Sequence, residues 1–422
     1  MSQLLFSAIR LNTTKPKPWA AFQYPDYRVL WIVLVTGSVV SWMRILGTAQ
    51  WLLDETGSAY LVGLIGVVQL VVQIPVTLWA GNLADQLDRK KMMTYSYGLT
   101  ALVMALLGIL NFNEALTPTI VYMGIAVMAG THMLASPARA ALVPIVIPKN
   151  KLMLAVSTDT ASYNAAAIAG PLLFAFIAVS YGSTEVFLAA ACIGSIAAIL
   201  PFFVKAHGVA EGHDKVEEKP SQVQQTKEGF SYVSKHPILP GLFLLDIGIT
   251  TASFYREILP VLALGLFAGG ASATGMLGAA NSTGAILGSF IALLFVAYKA
   301  QGMLVLYASF AYGFILFGFG LANTLWMGLL MIGLLGAADA VTVAVRQTTV
   351  MLTTPDHMRG RAFALMILAA QTANNIGTIW VGFWAGTIGA NNTMLLGGVI
   401  SITATALIWL YWKPIREFRS DY

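Results

Sequence analysis

The sequence predicts an all-α integral membrane protein with about twelve transmembrane helices in two pseudo-symmetric six-helix bundles. Three observations carry this prediction. The 422 residues are 57% hydrophobic and only 10% charged, whereas soluble domains carry about 25% charged residues. Long apolar runs recur along the chain. A set of residues in the first half also recurs in the second half at a nearly constant offset.

The apolar runs approach or reach the roughly 20 residues that a helix needs to cross about 30 Å of hydrocarbon. They are continuous and do not alternate with polar residues. This favours helices over a β-barrel, because backbone groups in lipid must be satisfied within the segment. Examples are Val29 to Val40, Leu61 to Ala80, Leu99 to Leu110, Phe187 to Val204 and Leu395 to Trp412.

Polar segments divide the chain into five predicted parts. An N-terminal arm (1–27) precedes a first bundle of six spans (28–205), and a second bundle of six spans (237–412) precedes a short tail (413–422). The segment between the bundles (206–236) is rich in Lys, Glu, Gln and Gly, too polar for a span and too short for a domain. We interpret it as a linker with a short surface helix from Gln224 to Ser234.

The two halves of the chain repeat one another. Such duplication is typical of transporters, because two similar bundles can rock about a central path. The offset falls by five residues along the repeat, which predicts a loop a few residues shorter in the second copy. Arg139, Pro148, Asn164 and Gly170 recur 207 positions later as Arg346, Pro355, Gln371 and Gly377, and Arg44, Gly63 and Gly66 recur 212 positions later as Arg256, Gly275 and Gly278.

Small residues and prolines predict where the spans approach one another or bend. Two glycine pairs, Gly63/Gly66 and Gly284/Gly288, are spaced for close approach of helices, which in lipid replaces the hydrophobic driving force. Pro260, in the seventh predicted span, can kink a helix or end it.

The net charge of +5 reflects the membrane topology and does not indicate a nucleic-acid partner. Lys and Arg occur in the N-terminal arm, in alternate connections, in the linker and in the tail. The remaining connections, such as Asn111 to Thr117, contain none. By the positive-inside rule, this asymmetry predicts a multi-pass protein of the cell (inner) membrane with both termini in the cytoplasm.

Several classes of function are excluded by the sequence. A single cysteine, Cys192, allows no disulfide within one chain, makes a thiolate metal site implausible and reads as a small core residue. No phosphate-binding loop, metal-ligand spacing or nucleophile elbow occurs. We therefore predict that the chain is not an enzyme, holds no cofactor or metal, and draws its energy from an ion gradient.

Charges inside the spans are candidates for function, because each costs about 2.5–3.5 kcal/mol on insertion scales and needs a partner or a watery cavity. Arg44 and Arg256 occupy repeat-equivalent places, with Glu257 beside the second and Asp246 about two and a half turns earlier. They could line a central path, bind an anionic group or tune a carboxylate that takes up a proton. A static ion pair or an arginine reaching the membrane surface is the alternative.

Asp339 has no cation within one helical turn in the tenth predicted span. A lone carboxylate in lipid takes up a proton readily, as a proton-coupled exporter requires. Asp339 and Asp246 are therefore the predicted coupling residues, with Arg44, Arg256 and Glu257 as associated charges. The alternative is that each carboxylate only makes hydrogen bonds between helices.

Polar residues in other spans predict a substrate cavity. A histidine in such a place can titrate near neutral pH, although most are neutral and satisfied within the bundle. Amide side chains can bind a ligand, yet they also hold transmembrane helices together. The candidates are His132, Asn164, Asn281, Gln371, Asn374 and Asn375.

The turn after the second span runs from Gly81 to Lys91 and reads GNLADQLDRKK. A carboxylate at a helix end is favoured by cations or by a helix N-terminus, so Asp85 should face one of these and form a contact that breaks as helices move. The alternative is a charged turn that obeys the inside-positive rule.

This turn resembles the cytoplasmic-loop signature of the major facilitator superfamily. Residues 84–91 are similar to its transmembrane secretion effector branch, which includes enterobactin exporter-like and macrolide-efflux-like carriers. Three further segments in the family's order carry the same resemblance. They are Ser136 to Pro144, Gly229 to Val233 before His236 and Pro237, and Pro355 to Arg361.

The resemblance implies two six-helix bundles, alternating access and outward movement of a small amphipathic compound. It also implies a gating cluster at the cytoplasmic face. The sequence departs from the pattern at Gln86, where many members carry arginine, and near Lys299 to Gly302, where the second copy lacks the acidic residue. The predicted gating residues are Gly81, Asp85, Asp88, Arg89, Arg139, Arg346 and Arg359.

The sequence thus predicts a monomeric secondary transporter that exports a drug, siderophore or metabolite in exchange for protons. An importer or lysolipid flippase of the same fold is one alternative. A membrane sensor or scaffold that transports nothing is another, although a scaffold has no need to keep Arg44, Arg256 and Asp339 in lipid.

Overall fold

The computed structural model describes residues 20–86, 88–206, 222–295 and 298–419, with the side chains of 78–86, 136, 222, 223, 225 and 357 left out. These residues form a helical protein, and the described part contains no strand. The first half contains α1 (Pro25–Thr56), α2 (Ala59–Gln86), α3 (Arg89–Phe112), α4 (Pro118–Val146), α5 (Leu152–Ser180) and α6 (Ser183–Ile199).

The second half follows a surface helix, α7 (Gln222–Lys235), whose range includes the helix predicted in the linker. Its helices are α8 (Leu239–Ser253), α9 (Leu259–Phe267), α10 (Ala271–Leu294), α11 (Gln301–Gly320), α12 (Leu325–Thr353), α13 (Asp356–Ile388), α14 (Ala390–Tyr411) and α15 (Lys413–Glu417). Among the described residues, 11 helices are long and apolar enough to cross a membrane. The shorter α8 and α9 together supply the remaining span.

The helices begin at repeat-equivalent residues. α2 and α10 start at Ala59 and Ala271, 212 positions apart, and α4 and α12 start at Pro118 and Leu325, 207 positions apart. The change in offset arises mainly within a helix, because α3 has 24 residues and α11 only 20. The prediction of a loop shortened by a few residues is therefore wrong.

The seventh span is broken where its counterpart, α1, is continuous. α8 ends at Ser253, and α9 begins at Leu259 with Pro260 in its first turn. Proline lacks the N–H that would bond the carbonyl four residues earlier, and its ring clashes with that carbonyl. The equivalent residue in α1 is Thr48, which keeps the helix and donates a hydrogen bond to the Arg44 carbonyl at 2.8 Å.

The two bundles meet through α2 against α13 and α5 against α10. Glycines allow these contacts. A Cβ on Gly63 would lie 3.0 Å from the Gly382 Cα, and Gly275 lies directly against Pro171 and Ala175. Gly284 and Gly288 lie against α12 in the same way, so the predicted close approaches at both glycine pairs are confirmed.

These contacts define a closed end of the molecule. α2 and α10 begin there, and α5 and α13 end there. Hydrogen bonds across the bundles add to it, with Thr274 donating to Gln50 at 3.0 Å and the Tyr60 and Thr387 hydroxyls 3.1 Å apart. We call the other end, where α1 begins and α14 ends, the basic end.

The outward surface is apolar, as lipid requires. Leu102, Phe176, Leu293 and Leu410 each expose more than half of their surface. Cys192 is also exposed, because Ala190, Ala191 and Gly194 form the buried face of α6. The prediction that this cysteine is a small core residue is wrong.

Candidate functional site

A central cavity of about 610 Å³ lies between the two bundles. Helices α1 to α5 contribute residues to one side, and α13 with the break between α8 and α9 forms the other. The cavity extends from Arg139, about 10 Å of helix from the basic end, to Arg44, about 28 Å from it. Its lining therefore reaches past the middle of the bundle and stops below the closed end.

The deepest part of the cavity carries three charged residues, two of which the broken span supplies. Arg44 is buried, whereas Arg256 is exposed to the cavity with its guanidinium 5.1 Å from the Trp42 ring centre. The Glu257 carboxylate accepts a hydrogen bond from Thr378 at 3.4 Å. Among the described residues, neither arginine forms an ion pair. Two arginines face one carboxylate here, so the formal charge of this part of the cavity is positive.

Amide side chains line the middle of the cavity. Gln371, Asn374 and Asn375 were predicted there, and all three contribute. Asn375 donates to the Gln73 carbonyl oxygen at 2.9 Å, which links the two bundles. Asn164, predicted with them, is not among the described lining residues.

His132 lies at the midpoint of α4, 14 residues from each end. It is exposed to the central cavity. Within the described residues its imidazole has no hydrogen-bonding partner, so a ligand or water could bind both ring nitrogens.

An ion pair lies where the cavity approaches the basic end. Arg139 donates to the Asp159 carboxylate at 2.8 Å, and the Tyr27 hydroxyl donates to the same carboxylate at 2.9 Å. Asp159 is thus tied to α1 and α4 at once. This pair belongs to the first bundle alone and does not connect the two bundles.

The second bundle contains a separate cavity of about 180 Å³, which we call the C-bundle cavity. One wall carries the ion pair between Asp246 and Arg346. Asp339 lies at the midpoint of α12 and is exposed to this cavity. Among the described residues no hydrogen bond or ion pair reaches its carboxylate. Asn281 lines the same cavity and donates to the Tyr255 hydroxyl.

The predicted gating residues do not form one cluster in the described part of the chain. The side chains of Asp85 and the Gly81 region lie outside the described residues. Asp88 caps α3 through the Lys90 amide at 2.8 Å, and Arg89 is 3.4 Å from the Ala141 carbonyl oxygen. Arg359 pairs with Asp356 at 2.7 Å on the surface.

Sequence reasoning missed three equivalences between the halves. His132 and Asp339 are 207 positions apart, and Gln69 and Asn281 are 212 apart, as are Tyr97 and Ser309. The first member of each pair lines the central cavity, and the second member lines the C-bundle cavity. Applying the offsets of the repeated arginines and glycines to these polar residues would have identified the pairs.

The fold and the cavity between its halves define a multi-pass transporter of the plasma membrane. The chain belongs to the transmembrane secretion effector family, whose model matches residues 16–421. The predicted superfamily and branch are thus confirmed.

Named relatives and a solved structure agree with this assignment. The chain is 23% identical to the staphyloferrin A transporter of Staphylococcus aureus over 89% of its length and 94% of the relative's. It is 21% identical to macrolide efflux protein A of Streptococcus pyogenes, over 93% and 96%. The nucleoside transporter NupG has the same fold, with a TM-score of 0.76, 12% identity and coverage of 91% and 99%.

Proposed function

We propose that this transporter exports a small amphipathic compound from the cell in exchange for protons, as a monomer whose two halves alternate access to the central cavity. The observation that carries the proposal is Asp339. It is a carboxylate at the centre of a transmembrane helix, in a polar cavity, without a partner among the described residues. An ionised carboxylate in this place is costly, so it can take up and release a proton during transport.

Asp246 is less suited to carry the proton, because Arg346 neutralises it. In our account Asp339 is therefore the proton carrier, and the pair between Asp246 and Arg346 holds α8 against α12.

Arg256 connects the proton carrier to the cargo, because it lines both cavities. When Asp339 is ionised, its charge offsets that of Arg256. When Asp339 is protonated, the wall of the central cavity becomes more positive by one charge. Protonation of Asp339 therefore weakens the binding of a cargo that carries a positive charge. For such a cargo, this is the antagonism between proton and cargo that exchange requires.

Two observations support export as the direction of transport. The pattern of basic residues predicts that both termini lie in the cytoplasm. In that orientation the central cavity, which is closed at the far end, faces the cytoplasm, from which an exporter loads. A relative named as a macrolide efflux protein matches nearly the whole chain. An exporter that rests open to the cytoplasm is ready to bind its cargo.

The test is transport in inside-out membrane vesicles, with a radiolabelled macrolide and staphyloferrin A as probes. A thermal-shift screen of siderophores, antibiotics and lysolipids on the purified protein selects further probes, because a ligand raises the stability of the state that it binds. We expect uptake into vesicles that are acidic inside, and its loss in Asp339→Asn. Asp356→Asn is the matched control, because this carboxylate is exposed on the surface.

Unchanged gradient-driven uptake in Asp339→Asn would refute proton carriage by this residue. Uptake only by right-side-out vesicles would identify an importer. Movement of lysolipids, but of no soluble probe, would identify a flippase.

A further inference from the structure

The two bundles contain the same cavity at two different sizes. The C-bundle cavity of about 180 Å³ has a counterpart of about 20 Å³ in the first bundle. The two are lined by equivalent residues. Ser41, Arg44, Tyr97, Thr100 and His132 of the small cavity correspond to Ser253, Arg256, Ser309, Tyr312 and Asp339 of the large one.

The side chain at position 97 is one difference between the two cavities. The Tyr97 ring lies directly against Gly37, leaving no room for a Cβ there, and occupies space in the first bundle. In the second bundle the smaller Ser309 stands at the place of Tyr97, and Ile249, at the place of Gly37, lines the cavity beside it. The aromatic ring of the second bundle is one turn further along, at Tyr312, where its hydroxyl donates to Ser253 at 3.0 Å.

The larger cavity contains polar atoms that lack partners. The Ser309 hydroxyl and the Arg346 Nε are buried and form no hydrogen bond. The two residues expose only 1% and 8% of their surface. The Asp339 carboxylate also lacks a partner among the described residues. A space of this size holds about six waters at roughly 30 Å³ each, and polar walls are what buried water requires.

The charges around Asp339 leave it free to bind a cation. Facing groups come from α8 (Asp246), α12 (Arg346), the break before α9 (Tyr255 and Arg256) and α11 (Tyr312). The charge of Arg346 is already engaged by Asp246. Arg256 is the remaining cation, and it points its guanidinium at the Trp42 ring.

We propose that the C-bundle cavity is a hydrated proton-binding site, separate from the cargo cavity, in which Ser309 positions the water that delivers the proton to Asp339. This inference rests on the proposed proton exchange. In the step itself, a hydronium O–H bond breaks and a carboxyl O–H bond forms, so no further reactant is needed. The first bundle lacks such a site, because its cavity is smaller and His132 stands at the place of the carboxylate.

The test is infrared spectroscopy of the reconstituted protein, which detects the carboxyl C=O stretch of protonated Asp339. We expect an acid-induced band in the wild type that is absent in Asp339→Asn. In deuterated buffer the band should shift quickly, because water reaches the carboxyl group. Ser309→Tyr, which installs the residue of the first bundle, should abolish this fast exchange.

Ser309→Ala is the matched comparison, since it removes the hydroxyl but keeps the volume. It should slow the exchange, because the water is no longer positioned, but less than the filling variants do, because water still enters. Exchange in Ser309→Ala as fast as in the wild type would exclude the positioning role of Ser309. Ser309→Val is a smaller filling variant, to be measured if Ser309→Tyr fails to fold, and it should slow the exchange. Unchanged exchange in the folded filling variant would overturn the inference. A titration midpoint of the band that changes when sodium replaces choline would also overturn it, because the site would then bind an alkali cation.

The outcome distinguishes this inference from the proposed function. A water-dependent Asp339 band in a protein whose transport ignores the pH gradient would refute proton exchange but leave the site in place. Gradient-driven transport without an Asp339 band would refute the site alone.

Discussion

His132 and Asp339 occupy the same place in the two halves of the protein. Each lies at the midpoint of its helix, α4 or α12, with 14 residues to either end. Each is exposed to a cavity, and the side chain of each has no hydrogen-bonding partner among the described residues. The duplicated fold thus has a titratable side chain at its centre twice, a histidine at the central cavity and an aspartate in the C-bundle cavity.

The first prediction concerns the ion pair between Asp246 and Arg346. Breaking a buried pair by removing one partner costs about 3–5 kcal/mol, because the other charge is left unpaired. Asp246→Asn should therefore lower the thermal stability strongly, whereas Asp339→Asn removes no contact and should leave it nearly unchanged. Unfolding of the purified variants in detergent measures both.

The double variant Asp246→Asn/Arg346→Gln is the control, because it removes both charges. It should recover much of the lost stability. If Asp246→Asn alone is as stable as the wild type, the pair does not hold α8 to α12.

The second prediction concerns the closed end. A Cβ on Gly66 would collide with the Asn375 carbonyl oxygen across the bundle interface. Gly66→Val should therefore prevent closure and shift the protein towards the state open at that end. Modification of a cysteine placed at Gln50, in a Cys192→Ser background, reports this opening.

Gly130→Ala provides the comparison, because its Cβ would meet Val72 at an ordinary 3.6 Å. It should leave the labelling rate of Gln50→Cys unchanged. Equal labelling in both variants would show that the glycine contacts do not control closure.

The third prediction concerns the wall shared by the two cavities. Arg256→Gln removes the charge through which Asp339 acts on the cargo, so downhill transport should persist while the response to a pH gradient disappears. Arg256→Lys keeps the charge but loses the planar stacking on Trp42, and it should keep a weakened response. Arg359→Gln, at a surface arginine, is the control; a normal pH response in Arg256→Gln would exclude this wall as the link.

The fourth prediction concerns His236, which lies outside the spans between α7 and α8. Its Nδ1 accepts from the Ile238 and Leu239 amides at 3.2 and 3.3 Å and so caps α8. Burial lowers the pKa of His236 below its ordinary value of 6.5, against the opposing effect of the Thr353 carbonyl. The folded state therefore prefers the neutral ring.

His236 therefore stabilises the folded protein more at neutral than at acidic pH. The contribution of His236 to stability is complete above the unfolded pKa and is lost as the pH falls below it, because the unfolded chain binds the proton more readily. Melting temperatures from neutral to mildly acidic pH should fall more steeply in the wild type than in His236→Ala. Parallel curves would contradict the assignment.

The sequence predicts the duplicated helical fold well, because hydrocarbon leaves so few solutions for a long apolar chain. The break in the seventh span was only partly visible. Pro260 signals a kink, but a proline can also be accommodated in a continuous helix. That the helix stops at Ser253, and that Arg256 lies in the gap, depends on packing against Trp42 and α13.

The sequence predicted most residues of the candidate site, but it did not predict which of them lie in the same cavity. Arg44, Arg256 and Glu257 do line one cavity, but the sequence placed Asp246 and Asn281 beside them, and both lie in the C-bundle cavity. Which face of a span points inward cannot be read from apolar runs that are hydrophobic on every side. The partner of Arg346 could not be predicted from the repeat either. Arg139, its counterpart, pairs with Asp159 of α5, whereas Arg346 pairs with Asp246 of α8.

The central claim is that Asp339 carries the proton. Proton exchange by alternating access then requires that protonation of Asp339 changes which end of the transporter is open. Distances between spin labels test it most directly and need no cargo. In a Cys192→Ser background, one label pair (Asn113→Cys and Asn392→Cys) spans the closed end, and another (Lys149→Cys and Lys413→Cys) spans the basic end. The account predicts that acid changes both distances in opposite senses, and that Asp339→Asn stays in the acid state at every pH. Distances that ignore pH in the wild type, or that respond equally in Asp339→Asn, would contradict it.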